Sequence, residues 1–116
     1  GQFKEILFNL LDNAYQSVPP GKGVITISAR RVSRKGRRWW KVKVADNGCG
    51  MLKEDGKKAF QPFFSLKPRG TGLGLAVCAE LTALHGGDIS IKSSKGRGAE
   101  FTFTLPEKRP AEKHPK

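Results

Sequence analysis

The sequence predicts an α+β domain: a two-layer α/β sandwich with a mixed, mostly antiparallel sheet and its helices on one face. Three observations carry this expectation. Apolar residues recur with a helical period from residue 3 and again from residue 73. Strand-like alternation comes in two pairs, over 24–46 and 88–106, each pair joined by a short turn. The resulting order (helix, hairpin, loop, helix, hairpin) lacks the regular strand–helix alternation of a parallel, doubly wound sheet.

The first element is "FKEILFNLLDNAYQSV". Phe3, Ile6, Leu7, Leu10, Leu11 and Ala14 fall at i, i+3, i+4, i+7, i+8 and i+11, one apolar face of a helix. Pro19 to Gly21 end it. Because the chain starts directly in this helix, we expect a piece of a longer protein. "VITISAR" then sets Ile25, Ile27 and Ala29 on one side of a strand, and "WKVKVAD" does the same for Trp40, Val42 and Val44. "SRKGRR" between them reads as a hairpin tip turned at Gly36. "DNGCGM" follows, then "KEDGKKAF", with room for a helical turn or two. Leu73, Val77, Leu81 and Leu84 mark the second long helix, closed by Gly86-Gly87. "DISIKS" and "AEFTFTL" form the last hairpin, with Phe101, Phe103 and Leu105 on one face. Residues 1–106 therefore read as the domain, and 107–116 as a disordered basic tail.

At 116 residues the chain holds one domain, and 37% hydrophobic with 28% charged residues places it among soluble globular proteins. No apolar run approaches the roughly 20 residues of a membrane span, and no signal-peptide pattern opens the chain. Cys49 and Cys78 make no metal or redox spacing, which suits a reducing cytoplasm. A net charge of +12 favours anionic partners, and eight of the 22 basic residues lie between Arg30 and Lys43. That cluster reads either as a solvated basic hairpin or as a nucleic-acid surface, the former being the simpler.

Chemistry concentrates in three places. On the first helix Glu5, Asn9, Asn13 and Gln16, with Asp12 beside them, form a polar stripe. Asn and Asp are poor mid-helix residues, because their side chains compete for backbone hydrogen bonds. Their amide oxygens suit Mg²⁺ beside phosphates; the alternative is a plain polar surface. "DNGCG" begins at a strand end with Asp46. Its carboxylate can accept from an amino group while Gly48 and Gly50 let a ligand come close, although Asp-Asn-Gly is also an ordinary turn. "GTGLGL", from Gly70, opens the second helix with backbone N–H groups suited to anions. It matches neither the P-loop nor the dinucleotide fingerprint, leaving another kind of nucleotide site or none.

Taken together, these segments resemble the GHKL superfamily of ATPases, which groups gyrase, Hsp90, MutL and histidine kinases. They look most like the catalytic ATP-binding domain of a two-component sensor histidine kinase, a Bergerat-type sandwich. "FNLLDNAYQS" matches the family's N box, "DNGCGM" its first glycine box, "FQPFF" its F box and "GTGLGL" its second glycine box. "HGGDISIKSSKGRGAEFTFTLP" matches its closing segment, so the likeness runs from residue 3 to 106. The short lid with "SLKP" is similar to the subgroup that includes nitrogen-regulation sensors.

The resemblance implies roles. Asn13 ligates Mg²⁺, and Asn9, one turn earlier, lines the phosphate site; both count as catalytic. Asp46 accepts from the adenine amino group, with Gly48 and Gly50 beside the base. Lys67 and Arg69 reach the phosphates from the lid, and Gly70, Thr71, Gly72, Leu73 and Gly74 wrap them. Phe60, Phe63 and Phe64 seat the lid or simply pack in the core. Gln16 stands where many such kinases place a lysine, Ala99 where a hydroxyl residue assists adenine binding, and Asn9 where hydrolytic members carry a glutamate. An amide lacks the basicity to activate water, so the chain suits holding ATP for transfer rather than hydrolysing it.

The implied partners are a histidine-bearing dimerisation domain of the same protein and a response regulator, since neither His85 nor His114 has the helical setting of an acceptor. Nucleic acid is not an expected partner, nor is the membrane, and the domain is expected in the cytoplasm. The alternatives within the superfamily are a serine-phosphorylating anti-sigma-type regulator and an ATP-driven dimerisation clamp. Outside it stands a nucleic-acid module using the Arg30–Lys43 hairpin.

Overall fold

The computed structural model describes residues 2–62, 64 and 74–107. The elements are α1 (Gln2–Ser17), β1 (Ile25–Arg34), β2 (Arg37–Asp46), α2 (Lys53–Gly56), α3 (Gly74–Leu84), β3 (Ile89–Ser93) and β4 (Ala99–Pro106). The strands form one sheet in the order β1-β2-β4-β3, and all three pairings are antiparallel. The α/β sandwich is as expected, and its parallel component is absent among the described residues.

The core lies between α1, α3 and one sheet face. Ile6, Leu10 and Ala14 of α1 meet Val42 and Val44 of β2 and Phe101 and Phe103 of β4, all nearly inaccessible to water. Each large side chain among them contributes about 1.5–3 kcal/mol by leaving water. Phe60 packs edge-on against Phe101, with ring centroids 6.1 Å apart. It packs against the core while staying partly exposed. Phe63 lies outside the described residues, and Phe64 is half-buried.

The β1–β2 turn is two residues long. Lys35 and Gly36 both have positive φ (52° and 76°), the hairpin turn whose twist matches that of the strands. β1 departs from its expected inner face: Ile27 is 49% exposed and Ala29 is exposed. The reason is position. β1 is an edge strand, and the helices sit over β2 and β4. At the other end of the fold Glu107 is not free as expected. Its N–H donates to the Arg38 carbonyl (2.9 Å) and its carboxylate pairs with Arg31 (3.2 Å). Residues 108–116 lie outside the described part.

The buried stripe of α3 also differs from expectation. Leu84 is 71% exposed, and Leu73 lies outside the described residues. Leu81 packs against the core as expected, but the residues that are essentially fully buried are Cys78 and Thr82. They are small, so α3 comes close to α1: Cys78 Sγ donates to the Ile6 carbonyl at 3.6 Å. Thr82 can be buried because its hydroxyl donates within its own helix, to the Cys78 and Ala79 carbonyls. The helix ends as the glycine pair requires. Gly86 has φ 79°, its N–H donates to Ala83, and Gly87 N–H donates to Thr82.

Burial pushes the Cys78 thiol up from 9.0 to about 11, against a smaller opposing effect of the Asn9 side chain. Two outcomes follow. Cys49, which is exposed, should react with iodoacetamide in the folded protein, while Cys78 should react only on unfolding; quantifying labelled peptides checks this. The unfolded chain ionises this thiol at lower pH than the folded one. Its contribution to stability is therefore complete below about pH 9 and is lost as pH rises through about 11. Denaturant midpoints across that range should fall, and in Cys78→Ala they should fall less.

Candidate nucleotide site

α1 carries the core on one side and a row of polar residues on another. Asn9, Asn13 and Ser17 stand one turn apart, so the row spans about 12 Å of helix. Asn9 and Asn13 are half-buried. Asn9 lies against the start of α3: a Cβ placed on Gly74 would sit 3.6 Å from the Asn9 amide oxygen. Ser17 closes the row, its hydroxyl donating to the Asn13 carbonyl at 3.0 Å.

The far end of the row meets the loop that follows β2. The Ser17 carbonyl accepts from Cys49 N–H at 3.2 Å. Gly48 is needed here, since a Cβ on it would lie 2.5 Å from that same carbonyl oxygen and 2.9 Å from Asp46 Oδ1. Asn47 fastens the loop to the start of β1, accepting from Val24 N–H at 2.8 Å and donating to the Lys22 carbonyl at 3.1 Å. On the other side Met51 N–H donates to Ser93 Oγ, and Ser93 Oγ donates to the Gly98 carbonyl, each at 2.9 Å. Gly50 has φ 64°, and a side chain there would run into the Ser94 carbonyl.

Asp46 sits at the centre of this frame. It ends β2 and pairs with Ile25 on one side and Ala99 on the other. Its Oδ1 accepts from Gly48 N–H at 2.8 Å. Its Oδ2 is buried and accepts no hydrogen bond from the described residues. A buried acceptor without a donor costs about 1–3 kcal/mol and marks a place where a ligand N–H gains most. Ala99, the position where the resemblance expects a hydroxyl, is buried directly opposite Asp46.

Of the expected site residues, the fold brings Asn9 to Gly74 and ties Gly48 to the end of the α1 row that carries Asn9 and Asn13, with Asp46 and Gly50 in the same loop. Gln16 is turned to solvent, and its amide donates to Asp12 at 2.8 Å. Lys67, Arg69, Gly70, Thr71, Gly72 and Leu73 lie outside the described residues, as does the short lid on which the nitrogen-regulation likeness rests. His85 contacts Gln2 just past the end of α3, away from any helix middle.

The sequence reading missed Gly98. It is buried with φ 85°, and a side chain on it would overlap the Asp46 carbonyl oxygen. Nothing local in the sequence marks it, because the constraint comes from Asp46, which meets it only through the pairing of β2 with β4.

Among the described residues no cluster of three or more His, Cys, Asp or Glu could hold a metal ion. A cation here would take few protein ligands, an amide such as Asn13 among them, and the rest from phosphate and water, which is how Mg²⁺ is commonly held beside nucleotides. The residues present therefore fit a nucleotide with its Mg²⁺: an unsatisfied acceptor for a base at one end, amide oxygens and a helix start at the other. No described helix is long and apolar enough to cross a membrane.

The chain is 46% identical over 105 residues to the sensor histidine kinase ZraS of Klebsiella oxytoca, covering 90% of this chain and 22% of that protein. It is 38% identical over 108 residues to the sensor protein TdiS of Thauera aromatica (90% and 19%) and 41% identical over 103 residues to sporulation kinase D of Bacillus subtilis (89% and 19%). It thus spans about a fifth of the length of these relatives. Among solved structures, the catalytic domain of the histidine kinase ThkA superposes with a TM-score of 0.76 at 32% identity, covering 90% of this chain and 66% of that one. Full-length ShkA in complex with AMPPNP gives 0.74 at 30%, covering 90% and 21%. The mycobacterial sensor histidine kinase MprB shares the fold, with a TM-score of 0.79 at 24% identity over 90% of this chain and 72% of that one. The family described as histidine kinase-, DNA gyrase B- and HSP90-like ATPase matches residues 1–109, and the chain belongs to it.

Proposed function

We propose that this domain binds ATP with Mg²⁺ and presents the γ-phosphate to a histidine on a separate dimerisation domain of the same protein, from which it passes to a response-regulator aspartate in the cytoplasm. The observation that carries the nucleotide reading is the unpaired, buried Asp46 Oδ2 beside backbone cleared by Gly48 and Gly50. In this reading Asp46 accepts from the adenine amino group. The nucleotide lies along α1, its phosphates beside Asn13, Asn9 and the start of α3. The lid residues Lys67 and Arg69 and the run Gly70–Gly74 close over them. Gln16 contributes little, because Asp12 already holds its amide.

Mg²⁺, when bound through Asn13, neutralises phosphate charge. The protein's own work is positioning: Asn13 and Asn9 fix the phosphate end, and Asp46 fixes the base, which is most of what phosphoryl transfer asks of an enzyme. Asn9 supports transfer over hydrolysis, since the amide facing Gly74 cannot take a proton from water. The relatives named above are sensor and sporulation kinases, which supports histidine over serine as acceptor.

Incubation with labelled ATP, Mg²⁺ and the histidine-bearing domain should give acid-labile, base-stable label; acid-stable label on serine would overturn the acceptor assignment. For the metal end, Asn13→Ala should lower ATP affinity in Mg²⁺ by about tenfold or more while binding of adenosine persists. Calorimetry with and without Mg²⁺ checks it, and undiminished affinity would remove Asn13 from the site.

A further inference from the structure

The sheet face turned away from the helices carries a charge pattern that the nucleotide site does not use. Pairing places Arg30 directly opposite Lys41, and Arg34 opposite Arg37. Like charges in such positions repel and destabilise a hairpin. Lys43 and Lys92 lie on the same face, where the carboxylates are Asp88 and Glu100. Asp88 is taken by Arg34 at 3.1 Å and Glu100 by Lys43 at 3.6 Å. Arg30, Arg37 and Lys41 have no carboxylate partner among the described residues.

The arginines are held in place. Arg34 and Arg37 stand over the Trp39 ring at 4.9 and 5.6 Å, and Arg34 also donates to Thr104 Oγ1 at 3.1 Å. Stacking of this kind fixes guanidinium groups while leaving N–H donors to spare. Between β1 and β3 the face is hollowed into a groove of about 350 Å³, lined by Val32, Lys41, the hydroxyls of Ser90, Thr102 and Thr104, and the Arg34–Asp88 pair.

From this arrangement we infer that the open sheet face is a docking surface for an acidic polypeptide segment. The donors are preorganised, the hydroxyl-lined groove accepts carboxylate side chains, and retained self-repulsion is relieved by an external anion. Nucleic acid fits less well. Asp88 and Glu100, each already paired with a cation, interrupt the continuous positive track that a phosphate backbone follows, whereas separate carboxylates can reach Arg30, Arg37 and Lys41 singly; and Trp39 offers no free ring for a base because arginines cover it. The inference stands on charge and geometry alone and does not depend on the nucleotide reading.

The chain's two tryptophans, Trp39 and Trp40, provide the readout. Titration of the full chain with poly-L-glutamate should change their fluorescence saturably, and added salt should weaken binding. Arg30→Glu and Lys41→Glu each turn a repulsive cross-strand pair into an attractive one. Each variant should keep or raise the melting temperature and still bind poly-L-glutamate about tenfold more weakly. Lys57→Glu combined with Lys58→Glu, exposed residues outside the sheet, changes net charge at least as much and should leave affinity nearly unchanged. An equal loss in that control, no saturable binding, or tighter binding of a charge-matched DNA duplex would each overturn the assignment. ATP affinity should be the same in all these variants.

Discussion

Replacing Asp46 with asparagine should lower ATP affinity by at least about 30-fold, equivalent to about 2 kcal/mol or more. The substitution is nearly isosteric, so the loss comes from hydrogen-bond capacity. A carboxylate has two acceptor oxygens, and both have assigned work: Oδ1 accepts from Gly48 N–H, and Oδ2 faces the proposed adenine position. An amide has one. If its oxygen stays on Gly48, the NH₂ group meets the adenine amino group, donor against donor. If it flips, the NH₂ group meets Gly48 N–H, and the loop that Gly48 holds against Ser17 is disturbed. Calorimetry with Mg²⁺ reads the affinity. Circular dichroism should show the fold intact, because Asp46 lies at a strand end and the core does not rest on its side chain. Wild-type affinity in Asp46→Asn would remove this residue from the site.

Gly98→Ala should be among the most damaging single-methyl changes available to the chain. Two costs add. The backbone there has φ 85°, a conformation costing an L-residue about 1–2 kcal/mol. The new methyl would also overlap the Asp46 carbonyl oxygen, a main-chain atom held by the pairing of β2 with β4. We expect a loss of about 3 kcal/mol or more in denaturant unfolding, with ATP affinity falling as Asp46 is displaced. Gly96→Ala is the control. It lies in the same turn at φ 82°, but a Cβ there meets nothing within 4 Å. It should lose only about 1 kcal/mol, the backbone cost alone. Equal losses in the two variants would mean that overlap with Asp46 is not what Gly98 avoids.

These two residues show what could and could not be read from the sequence. Asp46 was legible as a candidate because an acid at a strand end followed by spaced glycines is a local pattern. Its two-sided hydrogen-bond state was not, since it depends on where Gly48 N–H points and on how deeply the loop is buried. Gly98 is explained by a residue more than fifty positions earlier, which no local pattern announces. The helix and strand order was legible because strict 3.6 and 2.0 periods leave little choice. Where period and burial diverged, the cause was tertiary. In α3, leucine periodicity pointed at Leu84, but close approach to α1 favoured the small Cys78 and Thr82. In β1, alternation was present but the helices do not reach over Ile27. The polar stripe of α1 was readable as a stripe. That Gln16 is diverted to Asp12 while Asn9 faces Gly74 required coordinates.

α1 puts Ile6, Leu10 and Ala14 into the core and carries Asn9 and Asn13, the residues proposed to meet the nucleotide, on a neighbouring side of one rigid cylinder. Folding and ligand occupancy are therefore linked equilibria. A ligand gripping that row binds only the folded chain, and at a hundredfold excess over its dissociation constant it adds about 2.7 kcal/mol to stability. For a small domain of ordinary stability, about 5–15 kcal/mol, that is a sizeable share. A nucleotide on α1 would act as a removable part of the hydrophobic core's support, and the cell's ATP level would set how tightly this helix is held down.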